Sequence, residues 1–483
     1  MAPKKRILIV NPPIRLSDKP RHIPHGLAIL ANIIRKKINC ELFFIDWNAY
    51  RYTEQQFISL IKQIPCEIAL IGGLIPTYKN LIKISEIIKS IHPKCSIIAG
   101  GSAAMSVPDV LLQNSKVDII CTGEGELVII DLIKHLMEGA YKELFSIEGI
   151  AYKDSENNFI INKPKALIDD LDLYSDMPAY DLLPMEIYLK NPIIGLGRDI
   201  DFISGRGCPF NCVFCYQPWG RKNRRHSAEF IKEAILFLQK KFKINFISFQ
   251  DDLFILDKKR LTEFCQLRNT YFPDIKWSCH GRANICNDEI LQLVRNSGCT
   301  LVSYGFESGS PKILKKMKKG ITIEQMENVV MLNRKYGFPV PTSFIFGFPG
   351  ENEQTCNETI SFCKKNNLTL DSLMFATPYP GTELFEYVLK TGRLQKDDIH
   401  YFLLKLSDAR DFVINLTDSF TDQELQKKYT EMIKTAKLHY KPISDEEVNE
   451  KINDLYGDLA IHFFNLSEKD QIHRKKHGGI AIF

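Results

Sequence analysis

SGRGCPFNCVFCYQP, residues 204–218, sets Cys208, Cys212 and Cys215 within eight positions. Gly205, Gly207, Pro209 and Asn211 make the segment a loop, which weakens a reading of the thiols as core residues. The loop follows the apolar run DFISGR and so lies beyond a strand end, where βα loops build sites. A structural zinc site would want a fourth thiolate or imidazole close by. His226 is conceivable as that ligand but stands eleven residues further on. A cuboidal iron–sulfur cluster held by three thiolates instead leaves one iron free to bind a small molecule while the cluster passes it an electron. Spacing favours the cluster and leaves zinc open.

Downstream, apolar runs alternate with amphipathic segments. Strands are expected at DFISGR, INFISFQDD, IKWSCHGR, LVSYGFES, PVPTSFIFGF and LTLDSLMFATP, with helices such as AEFIKEAILFLQK and TIEQMENVVMLNRKY between them. Six such units are too few for a closed eight-unit barrel, so residues 195–395 are read as a partial, TIM-like (βα)6 barrel. Residues 396–483 read as mostly helical and are expected to form an outer wall of the substrate space. Their tail holds His473 and His477, four apart with no cysteine nearby, and is read as a polar terminus.

Upstream, RILIVNPP, CELFFID, IALIGG, SIIAGG and VDIICTGEG are strand candidates separated by helical ones. Nearly continuous apolar strands alternating with helices mean a parallel sheet covered on both faces, so residues 1–140 are expected to form a Rossmann-like (flavodoxin-like) α/β domain. Its binding loops belong at the carboxyl ends of the strands. Those ends are rich in glycine but do not form the dinucleotide pattern G-x-G-x-x-G after the first strand. Residues 141–194 change texture: a hairpin around DSENN, then an acidic, Pro-punctuated linker.

Composition bounds the function classes. An apolar fraction of 45% and a charged fraction of 25% over 483 residues describe a folded chain of more than one domain. The formal charge of +5 names no partner, and clusters such as RKNRR and KKMKKG read as solvated faces, so no nucleic acid is expected. The remaining ten of the thirteen cysteines are scattered, no signal-peptide pattern opens the chain and no uncharged run reaches membrane-spanning length. A cytoplasmic protein is expected, with peripheral contact to lipid left open.

The cysteine loop resembles the C-x-x-x-C-x-aromatic-C signature of the radical S-adenosylmethionine superfamily, with Phe214 in the aromatic position. The resemblance implies a [4Fe-4S] cluster on Cys208, Cys212 and Cys215 whose open iron chelates S-adenosylmethionine, and an electron donor such as a flavodoxin or ferredoxin. It also implies cosubstrate-binding roles in strand order. Phe214 would lie beside the adenine. Asp251 and Asp252 stand where many relatives have GGE, and Arg282 ends WSCHGR. Glu307 would sit near the ribose or methionine with Ser308 beside it, and Gly347 in IFGFPGENEQT would admit the cosubstrate closely.

The N-terminal segments look like the cobalamin-binding domain of B12-dependent, class B methyltransferase-like members: VNPP with Asn11 and Pro12, IGGLIPT with Gly72, Gly73 and Thr77, AGGSAA with Gly100, Gly101 and Ser102, and GEGE with Gly123 and Glu124. There is no D-x-H-x-x-G, so neither His22 nor His25 is assigned to cobalt. By this resemblance the chain is expected to transfer a methyl group to an unactivated carbon through a 5'-deoxyadenosyl radical and methylcobalamin. Radical cyclisation, ring rearrangement or oxidation without methyl transfer is the alternative within the family, and a zinc-binding scaffold the alternative outside it. A small-molecule, lipid, tetrapyrrole or peptide substrate would fit equally, and no catalytic acid or base is singled out.

Overall fold

The computed structural model describes residues 4–16, 18–174, 177–192 and 196–471; the tail holding His473 and His477 lies outside them. The chain forms two compact units. One comprises Met1–Tyr188, Tyr379–Gly381 and Phe385–Asp408, the other Leu189–Pro378, Thr382–Leu384 and Ala409–Phe483.

The first unit is built on β1 (Lys5–Asn11), β2 (Cys40–Asp46), β3 (Ile68–Gly72), β4 (Ser96–Gly100), β5 (Ile119–Cys121), β6 (Ile150–Lys153) and β7 (Phe159–Ile161). The order across its sheet is β2-β1-β3-β4-β5-β6-β7, with β1 to β5 parallel. The strands are apolar at consecutive positions because both faces are covered: Ile7 to Val10 and Ile68 to Ile71 are all buried. Crossovers run through the helices His25–Lys37, Glu54–Gln63, Tyr78–Ile91 and Pro108–Asn114. A capping box, Thr53 with Gln56, fixes where the second begins. With β2 on one side of β1 and β3 on the other, the winding reverses there. The loops after these two strands consequently diverge at their carboxyl ends, the usual place for a ligand crevice.

The hairpin expected in a linker is part of this sheet. β6 pairs antiparallel with β5, Ala151 opposite Ile120, and β7 follows. Asp154 accepts from the amides of Glu156 and Asn158, both at 2.8 Å, and Asn157 takes φ 65°, which turns the chain in the polar DSENN segment. Because Ile150 and Ala151 are fully buried, the hairpin has an apolar face to hide and extends the sheet. The boundary expected at 140 therefore falls inside the first unit, which also includes 385–408.

The second unit carries six parallel strands: β8 (Asp199–Phe202), then, past a two-residue ribbon of β9 (Gly205–Arg206) and β10 (Arg224–Arg225), β11 (Phe246–Phe249), β12 (Lys276–Gly281), β13 (Cys299–Glu307), β14 (Thr342–Phe346) and β15 (Leu373–Phe375). They stand in sequence order from β8 to β15, a partial barrel with two open edges. The ribbon clasps the two ends of the cysteine loop. Outside the sheet, Phe202, Phe249, Phe254, Phe264 and Trp277 form a cluster with centroids 4.0 to 5.9 Å apart. Such rings stabilise by about 1.5–3 kcal/mol each through burial, and here they fix the spacing of β8, β11 and β12.

Two of the C-terminal helices pack at different ends of the barrel strands, while the helix Ile399–Lys405 belongs to the first unit. In Asp422–His439, Leu425 packs toward Gly347 beyond β14, and Tyr429 donates to the Leu373 carbonyl. In Asp445–Tyr456, Tyr456 stacks with Phe246 at the amino end of β11. Of these two helices, the first approaches the turn at Gly347 that follows β14.

Candidate functional site

The cysteine loop is held by its backbone. Gly207 adopts φ +86°, and a Cβ there would overlap the Lys222 carbonyl oxygen, so the loop closes over itself only with glycine. Asn223 donates to the Gly207 carbonyl, Gln217 to that of Phe210, and the Cys215 amide to that of Cys212. The Val213 amide binds the Met317 carbonyl, tying the loop to the segment after β13. All three cysteines are free of disulfides. Burial pushes the Cys208 thiol up; Cys215, open to solvent at its surface yet ringed by protein atoms, is pushed up to about 12 by desolvation and by the neighbouring thiols and Asp252.

Charged groups from successive strand ends surround this loop. Arg282, just beyond β12, is buried; its Nη1 lies 3.8 Å from Cys212 Sγ, and its guanidinium stacks 3.8 Å from the Phe210 ring centroid. Glu307 at the end of β13 has φ +68°, a left-handed conformation that costs a non-glycine residue of order 1 kcal/mol or more. It is held there by Lys319, whose Nζ donates to Oε1 at 2.7 Å with both side chains buried. Gly305 makes room, since a Cβ at 305 would overlap that oxygen. Lys319 Nζ also stands 5.9 Å from the centroid of Phe214.

The two aspartates after β11 separate in role. Asp251 is buried, accepts from the amide and hydroxyl of Ser204 at 2.6 Å each, and pairs with buried Arg260. It is a clasp between strand ends, its carboxylate taken up by Ser204 and Arg260. Asp252 accepts from the Gly207 amide and acts electrostatically on Cys208 and Cys215, so it is the aspartate that faces the loop. Ser308 is likewise turned to the scaffold: its hydroxyl accepts from the Ser310 amide. Gly347, at φ +82°, donates its amide to Glu351, which also receives the Phe348 amide. His226 stacks on Phe230 of the helix Ala228–Phe242, 3.9 Å between centroids.

Sequence reasoning missed Lys319, Phe210 and Gln250. Lys319 was hidden in KKMKKG, read as solvated. Lys318 takes φ +50°, which folds the chain back after the helix Pro311–Lys316 and carries Lys319 into the interior. Gln250 Nε2 and Arg282 Nη2 are buried donors with no acceptor within hydrogen-bonding reach among the described residues. Three clustered thiols, those of Cys208 and Cys215 raised, and two unpaired donors fit an anionic, acceptor-rich group: a cationic iron core would make the thiols ligands, and its sulfides would receive the donors. Among the described residues no three His, Cys, Asp or Glu side chains converge on one point, as a single ion would require; a cuboidal cluster takes one thiolate per iron.

In the first unit the residues expected at a corrin surface do meet at the ends of β1, β3, β4 and β5. Their side chains, however, serve the scaffold. Asn11 donates to Asp46, Thr77 to the Leu74 carbonyl, and Ser102 and Glu124 accept from the amides of Ile75 and Ile168. A Cβ on Gly73 would overlap the Thr77 hydroxyl and lie 3.2 Å from Pro12, and one on Gly101 would lie 2.7 Å from the Gly73 carbonyl oxygen. Gly72 is closed in by Leu27 and the Gly100 carbonyl. By contrast, among the described residues nothing lies within 4 Å of a Cβ on Gly123, and only Cys121 Cβ, at 3.9 Å, near one on Gly100. Bare backbone at these two positions suits close approach of a large ligand. His25 is buried at the head of its helix.

A three-cysteine loop at the carboxyl rim of a six-stranded partial barrel defines a class, and residues 202–363 match the model of the radical SAM superfamily. The chain belongs to that superfamily: it is 33% identical over 398 residues, 80% of its length, to an uncharacterized methyltransferase of Pyrococcus horikoshii, covering 84% of that protein. An anaerobic magnesium-protoporphyrin IX monomethyl ester cyclase of Rubrivivax gelatinosus is 26% identical over 75% of the chain and 66% of its own length. The fold matches that of the radical S-adenosylmethionine methyltransferase TsrM from Kitasatospora setae, solved with cobalamin and a [4Fe-4S] cluster bound, with a TM-score of 0.71 at 15% identity over 92% of this chain and 90% of that one. No described helix is long and apolar enough to cross a membrane.

Proposed function

We propose that the protein is a cobalamin-dependent radical S-adenosylmethionine enzyme that transfers a methyl group to an unactivated carbon. The observation that carries this is the pair of strand-end rims, one a bare-backbone surface on a 2-1-3-4-5 parallel sheet, the other a three-thiol loop on a partial barrel. The first is assigned as a Rossmann-like, flavodoxin-like cobalamin domain. When bound, the cluster supplies the electron that cleaves S-adenosylmethionine to a 5'-deoxyadenosyl radical, and cobalamin carries the methyl group.

The chain's own residues hold and shield. Cys208, Cys212 and Cys215 are the metal ligands, and Phe214 is the apolar wall beside the cosubstrate. Glu307, fixed by Lys319, offers its remaining carboxylate oxygen to a hydroxyl or ammonium donor, and Gly347 allows close approach. Asp252 is an acceptor at the edge of the loop. Gly100 and Gly123 present backbone to the corrin, while Asn11, Thr77 and Glu124 keep the loops around it in place. The substrate is a small molecule, lipid, tetrapyrrole or peptide, and a reduced flavodoxin or ferredoxin is the electron source. The 26% identity to a cyclase favours a second reading, radical cyclisation or oxidation without methyl transfer.

Protein reconstituted anaerobically with iron, sulfide and cobalamin is expected to turn over S-adenosylmethionine to 5'-deoxyadenosine. Replacing all three cysteines by alanine should abolish this; undiminished formation would refute the assignment. Deuterated-methyl S-adenosylmethionine should label the product, whereas unlabelled product would establish the second reading.

A further inference from the structure

Arg282 is a buried cation, 6% exposed, to which no described carboxylate is paired. Leaving a charge unpaired in the interior costs several kcal/mol, so such a group implies an anion that the folded chain does not itself provide. Its donors are distributed unevenly. Nε binds Asn284 Oδ1 at 3.0 Å, and Asn284 in turn donates to the Gly320 carbonyl. Nη1 points to Cys212 Sγ at 3.8 Å, and Nη2 has no acceptor among the described residues. The flat face rests on Phe210, itself a residue of the cysteine loop. The guanidinium is thus fastened to the loop by stacking and by its sulfur contact, and a neutral thiol, a weak acceptor, becomes a strong one as a thiolate.

We propose that Arg282, assigned from the resemblance to the cosubstrate, is instead a positioning residue for the cluster: it donates to the Cys212 sulfur, with Nη2 open to the same sulfur shell, and raises the reduction potential. This rests on the function proposed above. Reduction adds a negative charge to the cluster, and hydrogen bonds and positive charge at its sulfurs favour the reduced form. The consequence is a cluster easier to charge from its electron donor. A cosubstrate-binding arginine would act only when S-adenosylmethionine is present, which separates the two roles.

The test is an electron paramagnetic resonance redox titration of reconstituted protein without S-adenosylmethionine, with iron and sulfide content measured in parallel. Arg282→Met should lower the midpoint, with the reduced-to-oxidised ratio at a given potential falling about tenfold, ~59 mV for one electron. Arg282→Lys, which keeps the charge but loses the fork and the stacking, should fall between Met and wild type. It also serves as the decisive variant if the methionine protein fails to load. Unchanged midpoints together with weakened S-adenosylmethionine binding would overturn this inference alone. A wild-type protein that assembles no reducible cluster would overturn the proposed function and the inference with it.

Discussion

The carboxyl rims of the two sheets are built on opposite plans. In the first unit the polar side chains at the strand ends are consumed by their own scaffold, and what is left to meet a ligand is backbone at Gly100 and Gly123. In the second, cations and carboxylates from successive strand ends lean on a loop of thiols, and donors are left unpaired. Backbone suits a large ligand held over an extended area, where many weak contacts add. Buried charge suits a compact group whose own charge changes, because low dielectric makes each interaction count.

The sharpest way to break the comparison is to remove a charge from the second rim. Asp251→Leu leaves Arg260 buried without its carboxylate and the Ser204 amide and hydroxyl without an acceptor. Loss of one partner of a buried pair costs about 3–5 kcal/mol. Denaturant unfolding should register that loss, and cluster content should fall because Ser204 leads directly into the cysteine loop. A variant as stable as wild type would show that this clasp carries no weight.

A smaller effect is expected on the backbone rim. Gly101 combines φ +77° with ψ 177°, a region essentially restricted to glycine, and faces the Gly73 carbonyl oxygen. Gly101→Ala should cost about 1–3 kcal/mol and displace the loops after β3 and β4. Cobalamin retained after desalting, read from its absorbance, should drop while iron and sulfide per chain stay constant. If both fall together, the rims are not independent.

How far these rims could be read in advance follows from the same contrast. The strands were legible because parallel, doubly covered strands are apolar throughout, as in Ile7 to Val10, and the helices because their apolar stripes recur at helical spacing. Glycine-rich strand ends and the C-x-x-x-C-x-x-C loop were legible because each depends on chain-local geometry. The partners of charges were not. Asp251 and Asp252 are adjacent in sequence, yet one is enclosed with Arg260 and the other faces the loop, a difference set by tertiary packing. Lys319 was obscured by the three other lysines of KKMKKG, and only the left-handed turn at Lys318 sends it inward. The hairpin 150–161 was visible as a hairpin, but its docking on β5 depends on an edge that local pattern does not reveal.

The smallest effect concerns Glu351, which ties off the β14 turn. Both amides, from Gly347 and Phe348, end on Oε2, so a glutamine carbonyl oxygen can take both bonds. Burial raises this carboxyl from 4.5 to about 7, outweighing the two amides that favour the anion. Between those values the folded state holds more protons than the unfolded one, so stability falls as pH rises from about 4.5 to about 7 and is level on either side. Glu351→Gln should therefore match wild type near pH 4.5 and become progressively more stable relative to it up to pH 7, measured as the midpoint of denaturant unfolding at half-unit steps. Parallel profiles would mean that Glu351 ionises freely, and that buried charge on this rim is confined to the groups around the cysteine loop.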